Sequence, residues 1–315
     1  MKPVAILYDP VFQKHDLGPG HPECPQRLQA LLNAFEDLRQ DERFIWESPQ
    51  EASPELIARV HTPDYVDWIR KNCAAGGGVY PALEGNLVPE TWEASLKAAG
   101  AVIQSCEKVW DGEWGGAFCL VRPPGHHAVP SSAMGFCVFN NVAVAAQRLV
   151  DVKNAGSVLI VDFDVHHGNG TQDMFYADPE VAYFSTHQWP HYPGSGAENE
   201  TGVGAGAGFT LNAPLKAGAG DKQIIAAFKE QLVPWANELK PEFLLISAGF
   251  DAHEDDPLSA LKVTTDGYGK LAKILKGIAD EHCQGRWVIT LEGGYDLKAL
   301  GESARKFLSG MMRNS

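Results

Sequence analysis

The chain has 315 residues, 44% of them hydrophobic and 10% aromatic, and its 26 Lys and Arg against 40 Asp and Glu leave a formal net charge of −14. That apolar content is ample for one large core, and no run approaches the roughly 18 consecutive apolar residues of a membrane span. A chain this acidic lacks the basic face that phosphate binding needs. Membrane-spanning and nucleic-acid-binding roles are therefore excluded at this stage, and cationic partners are favoured by long-range attraction.

In chain order, MKPVAILYDP reads as a first strand near residues 4–8, too short and without the cleavage site of a signal peptide. A soluble, cytoplasmic protein is expected. A Gly/Pro-rich loop with His15, His21 and Glu23 leads into a helix over 25–38, with Pro25 near its start, where a missing N–H does no harm. Helices follow over 62–73 and 89–110, the second opened by Pro89, then a strand over 116–121 and a helix over 139–151. Strands are expected near 157–163 and 181–186. Gly202 to Gly208, interspersed with Ala, lacks the Lys-Ser/Thr of a phosphate loop and runs into a strand, so it reads as a flexible connection. A helix over 221–239, a strand over 243–248, a helix over 265–282 and a strand over 286–291 complete the pass.

Alternating types of this kind predict an α/β protein whose parallel sheet is covered on both faces. With no linker-like or low-complexity segment, residues 1–315 read as one domain. The cysteines, at 24, 73, 106, 119, 137 and 283, form no C-x-x-C pair and read as reduced, buried thiols in a reducing compartment.

The chemistry gathers where strands end. In VDFDVHHGNG, residues 161–170, an apolar strand runs into Asp162, Asp164 and His166, which fall on one face if the backbone stays extended. A carboxylate and an imidazole so placed make two-thirds of an open zinc site. Asp251, ending the apolar run of FLLISAGFDAHEDD, is the best third ligand, and both motifs then sit at carboxyl ends of strands, where open α/β sheets keep their ligands. RPPGHHA sets His126 and His127 after AFCLV, and LEGGYD sets Tyr295 after WVIT. An open zinc site doing hydrolysis needs a base to take a proton from water and a donor for the developing oxyanion, and these strand ends can supply both.

Seven motifs in order, GHPECPQR, RPPGHHA, GFCVFNN, DFDVHHGNGTQ, HYPGSG, SAGFDAHEDDP and LEGGYD, span nearly the whole chain. Together they resemble the histone deacetylase family in the broad sense, including bacterial acetylpolyamine amidohydrolases and acetoin-utilisation proteins. The resemblance implies an arginase/deacetylase-like three-layer fold with a central, mainly parallel sheet flanked by helices. It implies one Zn²⁺ held by Asp164, His166 and Asp251, and hydrolysis of an N-acetyl or related acyl amide of a primary amine.

By the same resemblance His127 is general base and then acid, His126 stays protonated beside Asp162, and Tyr295 donates to the oxyanion. Asn169 partners His127 where some relatives have Asp, a feature similar to the class II side of the family, and an amide leaves the His127 pKa lower than a carboxylate would. Structural K⁺ is implied at two sites. The first comprises Asp162, Asp164, His166 and Ser185 with backbone near Thr186, and the second comprises backbone near Phe175, Asp178, Val181 and Phe209. Phe136 and Tyr192 match the two aromatic walls of a substrate tunnel, and Gly135 allows close approach.

Polyamine-selective relatives carry a rim carboxylate where this chain has Leu258, which favours acyl-lysine or a small acylated amine over acetylpolyamine. Glu254, Asp255 and Asp256 lie near enough to substitute for that carboxylate or to form a solvated turn. The HPE…R element, His21, Glu23 and Arg27, reads as shaping the site and stays outside the catalytic set. A homo-oligomer is left open. The rival readings are an acetylpolyamine deacetylase, a binuclear manganese ureohydrolase, which has no use for His126, His127 and Tyr295 together, and a non-catalytic acyl-lysine-binding protein.

Overall fold

The computed structural model describes residues 2–153 and 155–312. In chain order its strands are β1 (Val4–Leu7), β2 (Phe44–Glu47), β3 (Gly78–Tyr80), β4 (Gly85–Leu87), β5 (Gly116–Cys119), β6 (Val158–Asp162), β7 (Val181–Gln188), β8 (Thr210–Leu215), β9 (Phe243–Ala248) and β10 (Trp287–Leu291). Eight of these form one sheet in the order β2-β1-β5-β10-β9-β6-β7-β8, and every neighbouring pair in it is parallel. Strands β5, β6, β9 and β10 are buried at every residue. Continuous apolar runs of this kind belong to strands covered on both faces. The edge strands β2 and β8 are buried at only some of their residues.

The helices are α1 (Gln26–Ala34), α2 (Pro54–Ile57), α3 (Pro63–Ala74), α4 (Pro89–Trp110), α5 (Asn141–Lys153), α6 (Asn169–Phe175), α7 (Asp221–Ala227), α8 (Val233–Leu239), α9 (Thr265–Glu281) and α10 (Leu297–Met311). Helix α10 packs against α9 and α1, and α4 against α5, which gives the helix-flanked parallel sheet that the alternation predicts. The chain passes from β5 to β6 and later inserts β9 and β10 between them. The carboxyl ends of β5, β10, β9 and β6 are thereby set side by side, and the four chemistry-bearing motifs follow those four ends.

Several expected boundaries shift for local reasons. The helix expected over 25–38 stops at Ala34, because Phe35 leaves the helical region (φ −108°, ψ 6°), and a 3₁₀ turn over Glu36–Gln40 follows. The helix expected over 221–239 is α7 and α8 joined by a π turn, Phe228–Leu232. Pro234 cannot donate to a carbonyl one turn back, and the wider turn ahead of it absorbs that loss. Strand β2, the antiparallel β3–β4 hairpin, and helices α2, α6 and α10 lie outside the elements expected from sequence, while β8 is the strand expected after the glycine-rich connection. Strand β6 ends at Asp162 rather than near 163, so Asp164 and His166 lie in the loop beyond it.

Candidate active site

Beyond β6 the chain turns on its own polar groups. Asp162 Oδ1 accepts from Asp164 N (3.1 Å), and Asp164 Oδ1 accepts from His166 N (2.9 Å) and meets the His166 ring at Nδ1 (3.0 Å). The three side chains do not all point one way, although sharing a face would have had them do so. Asp164 and His166 turn toward Asp251, whereas Asp162 Oδ2 meets His126 Nδ1 (3.0 Å) and accepts from Tyr183 OH (3.1 Å). The extended alternation stops with the strand, and hydrogen bonding within the loop sets the directions instead.

Asp164, His166 and Asp251 bring one ligand atom each to within 4.8 Å of one another, all buried. Asp251 Oδ1 accepts from Val165 N (2.8 Å) and Asp164 Oδ2 from Gly293 N (2.8 Å). Asp251 Oδ2 makes no hydrogen bond among the described residues, with His166 Nδ1 at 3.3 Å. Gly293 backs directly on both carboxylates, and a Cβ there would overlap Asp251 Oδ2 and Asp164 Oδ2. Two buried carboxylates this close repel unless a cation lies between them. Burial and then the Asp164 charge push Asp251 up to about 7; burial opposes the charge on His166, but its hydrogen bond to Asp164 and the nearby Asp251 carboxylate hold it up at about 10. An orphaned carboxylate oxygen beside a second carboxylate and an imidazole is a donor set that fits a divalent cation such as zinc.

A second cluster, His126, Cys137 and Glu292, is equally compact, but its donors are already committed. His126 Nδ1 faces Asp162, Cys137 Sγ donates to Gly135 O (3.3 Å), and Glu292 accepts from Gly125 N and His126 N (2.7 and 3.1 Å).

The adjacent histidines after β5 sit in opposite electrostatic surroundings. Although burial opposes the charge, Asp162 and Asp164 hold His126 protonated, up at about 10. His127 Nδ1 meets Asn169 Oδ1 at 2.8 Å. Because an amide oxygen can only accept, Nδ1 carries the proton and Nε2 keeps a lone pair. Burial, then the charges on His126 and His166, hold His127 well below the ordinary imidazole range.

A cavity of about 240 Å³ opens onto these groups and is lined by His126, His127, His166 and Tyr295 at depth, and by Gly135, Phe136, Tyr192 and Leu258 along its walls. Gly135 (φ +50°) and Phe136 (φ +67°) both take the left-handed backbone, and a Cβ on Gly135 would collide with the His127 ring. The Tyr192 ring lies edge-on to His127 at 5.2 Å, and Phe136 edge-on to Tyr295 at 6.2 Å.

The HPE…R element proves to be the support behind the Gly-Gly-Tyr loop. Arg27 donates to Gly294 O (2.6 Å) and Glu292 O (2.5 Å), lies 5.0 Å over the Tyr295 ring and pairs with Glu23 (2.9 Å), which also pairs with Arg122. Of the acids after Asp251, Glu254 and Asp255 are exposed, whereas Asp256 is buried and accepts from Tyr295 N (2.7 Å), so it anchors that loop rather than forming a solvated turn.

Two wall residues escaped the sequence reading. Glu84, exposed on a left-handed backbone (φ 61°), is the one Asp or Glu on the cavity lining among the described residues. His191 stacks on His166 at 5.1 Å and meets Leu258 O through Nε2 (3.1 Å). The hairpin that carries Glu84 has no motif of its own, while His191 lies inside HYPGSG and could have been read there.

This sheet, with carboxylates and imidazoles converging at four adjacent strand ends, defines the arginase/deacetylase-like class of α/β enzymes. Within it the chain belongs to the histone deacetylase family, since residues 21–311 match the family model described as Histone deacetylase domain. It is 43% identical over 304 residues to Histone deacetylase 14, chloroplastic, of Arabidopsis thaliana, covering 90% of this chain and 71% of that relative. It is 39% identical over 315 residues to the human Polyamine deacetylase HDAC10, covering 95% of this chain and 46% of the relative. The crystal structure of the HDA15 HD domain superposes with a TM-score of 0.92 at 35% identity, covering 98% of this chain and 88% of that one.

Proposed function

We propose that the protein is a zinc-dependent amidohydrolase that removes acetyl or related acyl groups from the side-chain amine of lysine or a similar primary amine, with residues 1–315 acting as one catalytic domain. The observation that carries this reading is that the Asp164–His166–Asp251 cluster reaches, through His166, one cavity lined by a neutral and a protonated histidine and by Tyr295. Those three ligands would hold zinc, which when bound polarises a carbonyl and makes water acidic enough to lose a proton near neutral pH.

The chain's own groups do the rest. His127, with its proton fixed on Nδ1 by Asn169, presents Nε2 to take a proton from the attacking water. His126, held charged by Asp162, stabilises the negative charge that develops. Tyr295 donates to the carbonyl oxygen as it becomes tetrahedral, an interaction stronger in the transition state than in the ground state. When the C–N bond breaks, the His127 imidazolium returns its proton to the leaving amine. Phe136 and Tyr192, with Gly135 opening the wall between them, would sandwich the apolar stem of the acyl-amine.

Leu258 at the wall favours an acyl-lysine-like substrate. The second reading, an acetylpolyamine substrate, is favoured by Glu84, a carboxylate on the same lining, and by the polyamine deacetylase named among the relatives. The implied K⁺ sites belong to the same proposal. Asp162 and Ser185 are register partners on β6 and β7, and buried Thr186 Oγ1 has no bond among the described residues. Phe175, Asp178, Val181 and Phe209 flank the start of β7. The six free cysteines support a reducing compartment, the cytoplasm in this reading, and among the described residues no helix is long and apolar enough to cross a membrane.

Steady-state deacylation of an acetyl-lysine peptide and an acetylpolyamine by zinc-loaded protein tests the proposal. Turnover that needs zinc and Tyr295 supports it. Two manganese ions per chain, or binding of the peptide without turnover, would favour a rival.

A further inference from the structure

Buried Glu292, the residue after β10, takes no direct part in the chemistry proposed above, yet its side chain joins the tandem-histidine loop to β9. Its Oε2 accepts two consecutive backbone N–H groups of the tandem-histidine loop, Gly125 N at 2.7 Å and His126 N at 3.1 Å. Its Oε1 meets Ser247 Oγ of β9 at 3.3 Å, and its backbone oxygen accepts from Arg27 at 2.5 Å. The next residue, Gly293, donates its N–H to Asp164 Oδ2 at 2.8 Å. One side chain thus ties the loop after β5 to β9, while its own backbone continues into the support of a metal-ligand candidate. Buried N–H groups left without an acceptor are costly, so the histidine loop adopts this path only while an acceptor reaches it.

We propose that Glu292 is a positioning residue for acyl transfer, whose reach, rather than its charge, sets the place of His126 and His127 against the reacting carbonyl. The kinetic part of this inference rests on the deacylase reading.

Reach and charge can be separated with two conservative variants. Glu292→Gln keeps the length, since one amide oxygen can accept both N–H groups while its NH₂ donates to Ser247 Oγ. Glu292→Asp keeps the carboxyl group and draws the acceptor back by one methylene. Displacing a catalytic group by about 1 Å costs up to about 10²-fold in rate. The expected result is that Glu292→Gln holds kcat within a few-fold of wild type, whereas Glu292→Asp loses on the order of 10- to 100-fold in kcat, with KM and zinc content unchanged in both.

A second readout needs no turnover. The Gly125 and His126 amide protons, bonded to a carboxylate, resonate downfield in NMR spectra, stay downfield in Glu292→Gln and move upfield in Glu292→Asp. Equal losses in the two variants, a wild-type kcat in Glu292→Asp, or a defect expressed in KM or zinc content would overturn the proposal. So would a Glu292→Asp chain that does not fold, because Glu292 would then serve the fold. Failure of the deacylase reading looks different: wild-type protein without turnover of acetyl-lysine peptide or acetylpolyamine, the amide shifts still following reach.

Discussion

The floor of the cavity and its rim are built on opposite terms. Behind the floor Asp164, Asp251 and Asp162 are buried, and neighbouring backbone and ring nitrogens fix all of their oxygens but Asp251 Oδ2. At the rim Glu84 and Tyr192 are exposed and His191 and Leu258 half-buried, with few bonds to hold them. Groups that perform chemistry are over-determined because small displacements are costly in rate, while groups that choose the substrate can vary without loss of the fold. The floor should therefore answer mutation with loss of catalysis, and the rim with exchange of substrates.

The largest effect is expected at the proposed zinc ligands. Chelation, or Asp251→Ala, should abolish both zinc binding and turnover, and adding zinc back should restore the chelated wild type but not the variant, as metal analysis beside activity would report. Next, Tyr295→Phe should lower kcat by roughly 10²–10³-fold with little change in KM, the usual consequence of removing one oxyanion donor.

Asn169→Asp should act on pH dependence. His127 must be neutral to accept a proton, and because its pKa is held low, activity should persist on the acid side and fall only as pH drops through that depressed value. A carboxylate in place of the amide raises the His127 pKa. The acid limb of the kcat/KM profile should then move to higher pH, and an unmoved limb would remove His127 from the base role.

The smallest effects belong to the rim. Leu258→Glu should raise the acetylpolyamine to acetyl-lysine ratio of kcat/KM, and Glu84→Gln should lower it a few-fold in a salt-dependent way, as exposed charges do. Identical ratios in both variants would mean that the rim does not select the amine.

The same contrast explains what could be read from sequence. Asp164, His166, Asp251 and Tyr295 stand within a few residues of the ends of apolar runs, so the strand ends single them out as candidates. The parallel sheet follows from the alternation of elements. Strand β8 was harder to bound because Pro214 interrupts its pattern, which an edge strand tolerates. The direction of Asp162, the anchoring by Asp256 and the reach of Glu292 depend on partners 36, 39 and 167 residues away, and no local pattern encodes such pairings. Glu84 reaches the cavity from a hairpin whose sequence shows neither chemistry nor periodicity.

The most direct measurement is single-turnover deacylation of an acetyl-lysine peptide by protein loaded with one zinc per chain, beside the zinc-free protein and Tyr295→Phe. Release of acetate in the loaded wild type, absent without zinc and slowed in the variant, is the predicted result. Acetate released at the same rate with and without zinc, or by Tyr295→Phe as fast as by wild type, would contradict the assignment of this floor as a zinc amidohydrolase centre.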